Sequence, residues 1–272
     1  MQKMILALLI CSFSQLLNAQ NLEIYRLDKL GDGLAMGGGI SLALTGFLLK
    51  PRLAAPGPTE IMQLSAANIN AFDQLATSNW SPNSAKLSDA MLVSGGIASL
   101  AIVFGGKRMR SDWQKVLVIG AETMLWVEGI TFTTKKTVGR LRPFVYNAVV
   151  PLNRKTEGDT RQSFFSGHSS FIAAATFFSA KVYHDYHSTS PWRYAIWGGA
   201  GLISGSVAYL RVRAGKHFPS DVLTGLALGA AFGVLVPEFH RQKSRKRDST
   251  QSLHWEIGPA IGLSGLRLGC RF

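Results

Sequence analysis

Lys135 and Arg142 stand seven positions apart in Lys135-Lys136-Thr137-Val138-Gly139-Arg140-Leu141-Arg142-Pro143. On a continuous helix that spacing puts both on one face two turns apart. Gly139 between them leaves room for a close approach, so two cations converge on one anion-sized space. Pro143 biases Arg142 away from helical geometry and ends the element. A basic patch touching lipid headgroups accounts for the same residues. A second segment, Ser163-Phe164-Phe165-Ser166-Gly167-His168-Ser169, precedes an apolar run. A Ser-Gly-His turn at a helix start offers free backbone N–H groups and the positive end of the helix dipole, which suit a phosphate. His168 titrates near neutral pH and can protonate a leaving oxygen; a capping turn with an incidental histidine is the alternative.

The third segment is Arg211-Val212-Arg213-Ala214-Gly215-Lys216-His217-Phe218-Pro219-Ser220-Asp221. Pro219 suits a first helical turn, which places Asp221 within reach of His217. A carboxylate holding one imidazole nitrogen leaves the other free to attack, so His217 is a candidate nucleophile and Asp221 its orienter. An Asp interacting with the helix dipole beside an unrelated His is the plainer reading.

These segments must be positioned by the apolar runs around them. Of 272 residues, 47% are hydrophobic and 17% charged, which is more apolar than an ordinary soluble domain. Runs near 34–49, 88–106, 113–132, 168–184, 194–210 and 222–237 approach the length of a helix that crosses a bilayer. The expected fold is an all-α polytopic membrane bundle of about six transmembrane helices with a short β-like C-terminal tail. In that tail Trp255, Ile257, Ile261, Leu263, Leu266, Leu268 and Phe272 alternate with small or polar residues around a turn near Ser264-Gly265.

The division expected along the chain is 1–19, 20–87, 88–240 and 241–272. Residues 1–19 carry Lys3, the apolar run Met4–Ile10 and a small-residue end at Leu17-Asn18-Ala19, the layout of a signal peptide, with an uncleaved first helix as its rival. Residues 20–87 hold the first apolar segment and an amphipathic region at 60–78. Residues 88–240 are the helical bundle, and 241–272 a basic stretch and tail. The formal net charge of +13 gathers at the ends of apolar runs, at Lys107, Arg108, Arg110 and Lys115 and again at Arg241, Lys243, Arg245, Lys246 and Arg247. That is the cytoplasmic excess of membrane proteins, and no recognition motif accompanies it to indicate nucleic acid. With both clusters inside, the junctions 133–167 and 211–221 share the outer side. A cleaved signal would then end the first span inside at Lys50-Pro51-Arg52, and something in 53–87 would have to cross back. Cys11 and Cys270 are the two cysteines, too few for a disulfide framework or a thiolate metal site once a signal is removed.

The order Lys-x6-Arg-Pro, then Ser-Gly-His, then Arg-x5-His-x3-Asp resembles the three-part signature of the type 2 phosphatidic acid phosphatase family, whose relatives include bacterial acid phosphatases and vanadium haloperoxidases. The resemblance covers about residues 88–237. It implies that Lys135, Arg142 and Arg211 bind phosphate with help from Ser166 and the Gly167 backbone. It also implies that His217 attacks phosphorus, that Asp221 orients it, and that His168 protonates the leaving group and then activates water. Three cations around one phosphoryl group stabilise its charge, so neither metal nor other cofactor is expected. The implied partners are a lipid phosphate and the membrane, with the site on the periplasmic face of a bacterial inner membrane. Phe165 stands where the family has Pro, and Leu210 where it has Ser. A non-catalytic anionic-lipid binder with a decayed site and a vanadate-dependent haloperoxidase are the alternatives. Glu122 and Glu128 sit within the third apolar run, where an ionisable group faces a bundle interior or water.

Overall fold

The computed structural model describes residues 24–242 and the backbone of 255–259 and 266–270. The expected signal segment, and the basic residues 243–247, lie outside the described residues. Six helices of twenty or more residues make up the described bundle: α1 (Lys29–Leu48), α2 (Pro82–Gly105), α3 (Trp113–Val138), α4 (Gly167–Tyr186), α5 (Trp192–Arg213) and α6 (Pro219–His240). Three stretches, Pro82–Gly105, Trp113–Tyr146 and Pro219–His240, are long and apolar enough to cross a membrane. Many large apolar side chains point away from the bundle, among them Leu44 and Phe47 of α1, Ile97 and Leu100 of α2, Leu202 of α5 and Leu235 and Phe239 of α6. An outward apolar surface of this extent is what lipid contact requires.

Local chemistry sets the helix ends. Asp28 accepts a hydrogen bond from the Gly31 N–H at 2.7 Å and starts α1, and Ser81 with Pro82 starts α2. The Asp221 carboxylate accepts from the Phe218 N–H at 2.9 Å, with Pro219 in the first turn of α6. At the other end of α3, Gly139 takes φ +64°, a left-handed C-cap. This corrects the single-face reading of Lys135 and Arg142: the helix ends at Val138, and Arg142 lies in extended backbone beyond it.

The closest packing joins α4 and α6. A methyl added at Gly229 would lie 2.1 Å from the Ser170 carbonyl oxygen, so the two helices approach at backbone distance. In the same way Gly39 faces Leu125 and Trp126, Gly46 faces Phe132 and Thr133, and the Arg52 N–H donates to the Lys136 carbonyl. Helices α1 and α3 therefore run parallel, and α1 finishes at the same end of the bundle as α3. No segment within 53–81 therefore has to cross back to the other end of the bundle. Residues 53–81 stay at that end as short helical turns, tied down where Asn79 donates to the Val212 carbonyl and Asn147 to the Ser78 carbonyl.

One end of the bundle thus gathers the C-termini of α1, α3 and α5 and the N-termini of α2, α4 and α6. It is covered by a small cluster of Leu141, Phe144, Val145 and Val150. The opposite end holds a larger core that includes Tyr25, Met109, Ile119, Val182 and Tyr186. There the Tyr186 hydroxyl donates to Asp112 at 2.9 Å, beside the basic residues 107–115. As a separate unit, β1 (Trp255–Pro259) and β2 (Leu266–Cys270) pair antiparallel, with Ile257 opposite Leu268.

Candidate active site

The covered end of the bundle contains a cavity of about 390 Å³ whose wall includes Glu128, Lys135, Arg142, Gly167, His168, Arg211 and His217. Six of the eight residues singled out by spacing or resemblance, Gly167 among them, therefore meet around one space. Arg142 and Arg211 are 7% and 6% exposed, so their charges act where water screens them little.

Each cation is aimed by backbone or carboxylate oxygens. The Lys135 ammonium donates to the Gln162 carbonyl at 2.8 Å. Arg142 donates through Nε to the Asp159 carbonyl at 2.9 Å and through Nη1 to the Lys216 carbonyl at 3.3 Å, and Nη2 pairs with Asp159 Oδ2 at 3.0 Å. Arg211 donates through Nη1 to Ser88 Oγ at 3.2 Å and Asp89 Oδ1 at 3.1 Å, while its buried Nε has no partner. A buried guanidinium nitrogen without an acceptor is costly, and a phosphoryl oxygen entering the cavity would supply one.

His217 is 1% exposed. Its Nδ1 lies 2.7 Å from the Ser163 carbonyl oxygen. A carbonyl can only accept, so Nδ1 carries the proton and Nε2 keeps its lone pair. The Asp221 carboxylate, expected to make this contact itself, is 3.8 Å from Nδ1. It instead accepts from Ser163 Oγ at 2.5 Å and the Phe218 N–H at 2.9 Å. Asp221 thus holds the backbone on both sides of the imidazole rather than the ring. Burial, followed by the charges of Lys135, Arg142 and Arg211, holds the His217 imidazole well below its ordinary pKa.

The Ser166 hydroxyl departs from the expectation of a phosphate donor. It is fully buried, caps α4 by accepting from the Ser169 N–H at 3.3 Å, and accepts from Ser169 Oγ at 2.9 Å. Its own N–H donates to the Asp221 carbonyl at 3.1 Å. Ser166 therefore builds the turn, and Gly167 is the residue of the pair in the cavity wall. Phe165 is 2% exposed and packs inside, and Leu210 lines a different, outer depression with Met91 and Tyr209. Neither departure from the family pattern reaches the cavity.

Sequence spacing gave no sign of Asp73, Asp89 and Arg140. His168 Nε2 is 2.8 Å from Asp89 Oδ1, the same carboxylate oxygen that Arg211 reaches. Arg140 donates to Asp221 Oδ1 at 2.5 Å, to Ser220 Oγ at 2.8 Å and to Asp73 Oδ2 at 2.8 Å, and lies 4.1 Å over the Phe218 ring. Burial works to raise the Asp73 pKa, but hydrogen bonds from Ser220, Arg140 and Asn70 outweigh it and hold the carboxylate below its ordinary range. Two acidic residues from the segment 70–90, distant in sequence, are therefore built into the site through the cations they pair with.

Residues 116–245 match the model of the PAP2 superfamily. A lipid A 1-phosphatase from Porphyromonas gingivalis is 32% identical over 133 residues, 48% of this chain and 25% of that protein. Phospholipid phosphatase 1 of Rattus norvegicus is 31% identical over 157 residues, 47% of this chain and 55% of that protein. The chain thus spans between a quarter and about half the length of these curated relatives. A crystal structure of a transmembrane PAP2 type phosphatidylglycerolphosphate phosphatase from Bacillus subtilis aligns with 74% of this chain and 94% of its own, at 23% identity and a TM-score of 0.36. The matched segment, residues 116–245, contains both histidines and all three cations of the cavity and is similar to the PAP2 superfamily.

Proposed function

We propose that the protein is a membrane phosphatase that removes phosphate from a lipid phosphate monoester or diphosphate through a phosphohistidine intermediate. The observation that carries this reading is the bare Nε2 of His217 in a cavity walled by Lys135, Arg142 and Arg211. The three cations bind the phosphoryl oxygens and neutralise charge as it spreads over them. Nε2 attacks phosphorus, the bond to the leaving oxygen breaks, and His168, held by Asp89, gives that oxygen a proton. His168 then takes a proton from water, the hydroxide attacks phosphorus, the P–N bond breaks and inorganic phosphate leaves. Asp221 and Ser163 act by holding the ring of His217 in its attacking tautomer.

The basic cluster at 107–115 lies at the end opposite the cavity, which by the excess of cytoplasmic Lys and Arg favours a periplasmic site in the inner membrane. Phosphatidic acid, phosphatidylglycerol phosphate, undecaprenyl diphosphate and the phosphates of lipid A fit the chemistry equally, since the cavity reads the phosphoryl group. The loop 144–162 is the place for selection, because Asp159 ties it to Arg142 in the cavity wall.

The test is phosphate release from a panel of these lipids by detergent-purified protein, with His217→Ala and His217→Gln alongside. Release by the wild type, lost in both variants while lipid binding persists, is the expected result, and quenched turnover with radiolabelled lipid should trap label on His217. Turnover retained in both variants would refute the assignment of the nucleophile.

A further inference from the structure

At the end of the bundle opposite the cavity, three side chains from three helices converge. Asp32 comes from the first turn of α1, Glu122 from α3 and His240 from the last residue of α6. One ligating atom of each lies within 4.8 Å of the other two. His240 Nδ1 is 2.8 Å from the Val236 carbonyl oxygen, which can only accept, so Nδ1 carries a proton. In a neutral imidazole Nε2 is then a bare lone pair. Yet Nε2 faces Asp32 Oδ1 at 3.0 Å and Glu122 Oε2 at 3.3 Å. With the imidazole neutral, three acceptors point at one another with no donor between them.

Two further atoms sharpen the point. Glu122 is 7% exposed and its Oε2 has no hydrogen-bond partner, and Asp32 Oδ2 is likewise buried without one. With both carboxylates ionised and the imidazole neutral, the three groups would carry −2 in a poorly solvated place. A single added proton leaves −1 there, whereas a divalent cation brings the site to neutrality and gives each lone pair a partner. An imidazole nitrogen fixed by a backbone carbonyl on its far side is the usual arrangement of a metal-bound histidine. One nitrogen and two carboxylates favour a transition-metal ion over Mg²⁺ or Ca²⁺.

We infer that Asp32, Glu122 and His240 form a divalent transition-metal site of the zinc, cobalt or manganese class that clasps α1, α3 and α6. The site lies thirteen residues along α3 from Lys135, about 20 Å at helical rise, and it has no part in the phosphoryl chemistry. Its role is to hold together the ends of three helices, including α1, which the family match does not cover.

The experiment uses the full chain, purified in detergent with a tag free of histidine, stripped with a chelator and then titrated with Co²⁺ followed by competing Zn²⁺. One equivalent of Co²⁺ with visible d–d absorption, displaced by Zn²⁺ and accompanied by a rise in melting temperature, is expected. Glu122→Gln, nearly isosteric, should weaken Co²⁺ binding at least about 100-fold. Asp32→Asn, at the more exposed helix start, gives the same comparison should Glu122→Gln fail to fold. Phosphate release per folded molecule should match in loaded and stripped wild type, which separates this site from the catalytic reading. Folded wild type that binds no Co²⁺ at roughly tenfold excess, or binding unchanged in the folded variant, would overturn the inference and leave a proton as the bridging cation.

Discussion

Replacing Arg140 by alanine should damage the site although Arg140 does not line the cavity. Its guanidinium bridges two buried carboxylates, Asp73 at 1% and Asp221 at 0% exposure, and also holds Ser220 Oγ. Removing one partner of a buried ion pair costs about 3–5 kcal/mol, because the remaining charge stays buried and unpaired. The Arg140 side chain is 24% exposed, and each carboxylate keeps other donors, Asn70 and Ser220 for Asp73 and Ser163 and Phe218 for Asp221. The lower end, about 3 kcal/mol, is therefore expected, a factor of roughly 150 in the folding equilibrium. Loosening Asp221 frees Ser163 and with it the carbonyl that fixes His217, so kcat should fall about 10- to 100-fold with KM changed less. The assay pairs thermal and denaturant unfolding in detergent with phosphate release, and adds Asp73→Asn alone and combined with Arg140→Ala. Since Asp73→Asn removes one of the stranded charges, the double variant should be less damaged than the sum of the singles. An Arg140→Ala protein with wild-type melting and turnover, or strictly additive effects with Asp73→Asn, would refute the bridging argument.

Two further outcomes follow from the same geometry. Because burial and three cations hold the His217 pKa down, its neutral attacking form persists below the ordinary imidazole titration. The acid limb of kcat/KM assigned to His217 should therefore fall below pH 6.5 and move upward in Lys135→Met; a limb at or above 6.5 would contradict the environment described. The stability sign agrees: the unfolded chain gains a proton on this residue below about pH 6.5 that the folded chain does not, so stability falls as pH drops through that value, and His217→Gln should flatten the slope. At the α4–α6 contact, Gly229→Ala should cost more than about 2 kcal/mol because the new methyl meets the Ser170 carbonyl, whereas Gly198→Ala, with open space around it, should be neutral or slightly stabilising; equal melting temperatures for the two would refute the close approach.

Much of this protein was legible along the chain because the information is local. Apolar runs in lipid must satisfy their own backbone, which a helix does within one segment, and long helices form at the six runs anticipated, three of them in stretches long and apolar enough to cross a membrane. The spacing of Pro219 and Asp221 fixes a helix start, and Ser166 with Gly167 fixes another, so His217 and His168 could be placed at helix entrances from sequence alone. The charge cluster at 107–115 likewise marked one end of the bundle.

What needed the tertiary structure is whatever depends on residues distant in sequence. Lys135 and Arg142 meet around the cavity because the chain turns at Gly139, not because they share a helix face. Asp221 lies one helical turn from His217, which suggested a direct bond, yet the ring turns to the Ser163 carbonyl 54 residues away. Asp73, Asp89 and Arg140 carry no motif of their own, and their place in the site follows only from the folding of 53–81 and α2 onto the bundle end. The direction of α1 was decided by its glycines meeting the side chains of α3, a packing preference that hydropathy and charge do not encode. Sequence thus determined which residues can do the chemistry and which segments become helices. Packing decided which donors and acceptors face them, because hydrogen-bond geometry and burial are properties of the assembled bundle.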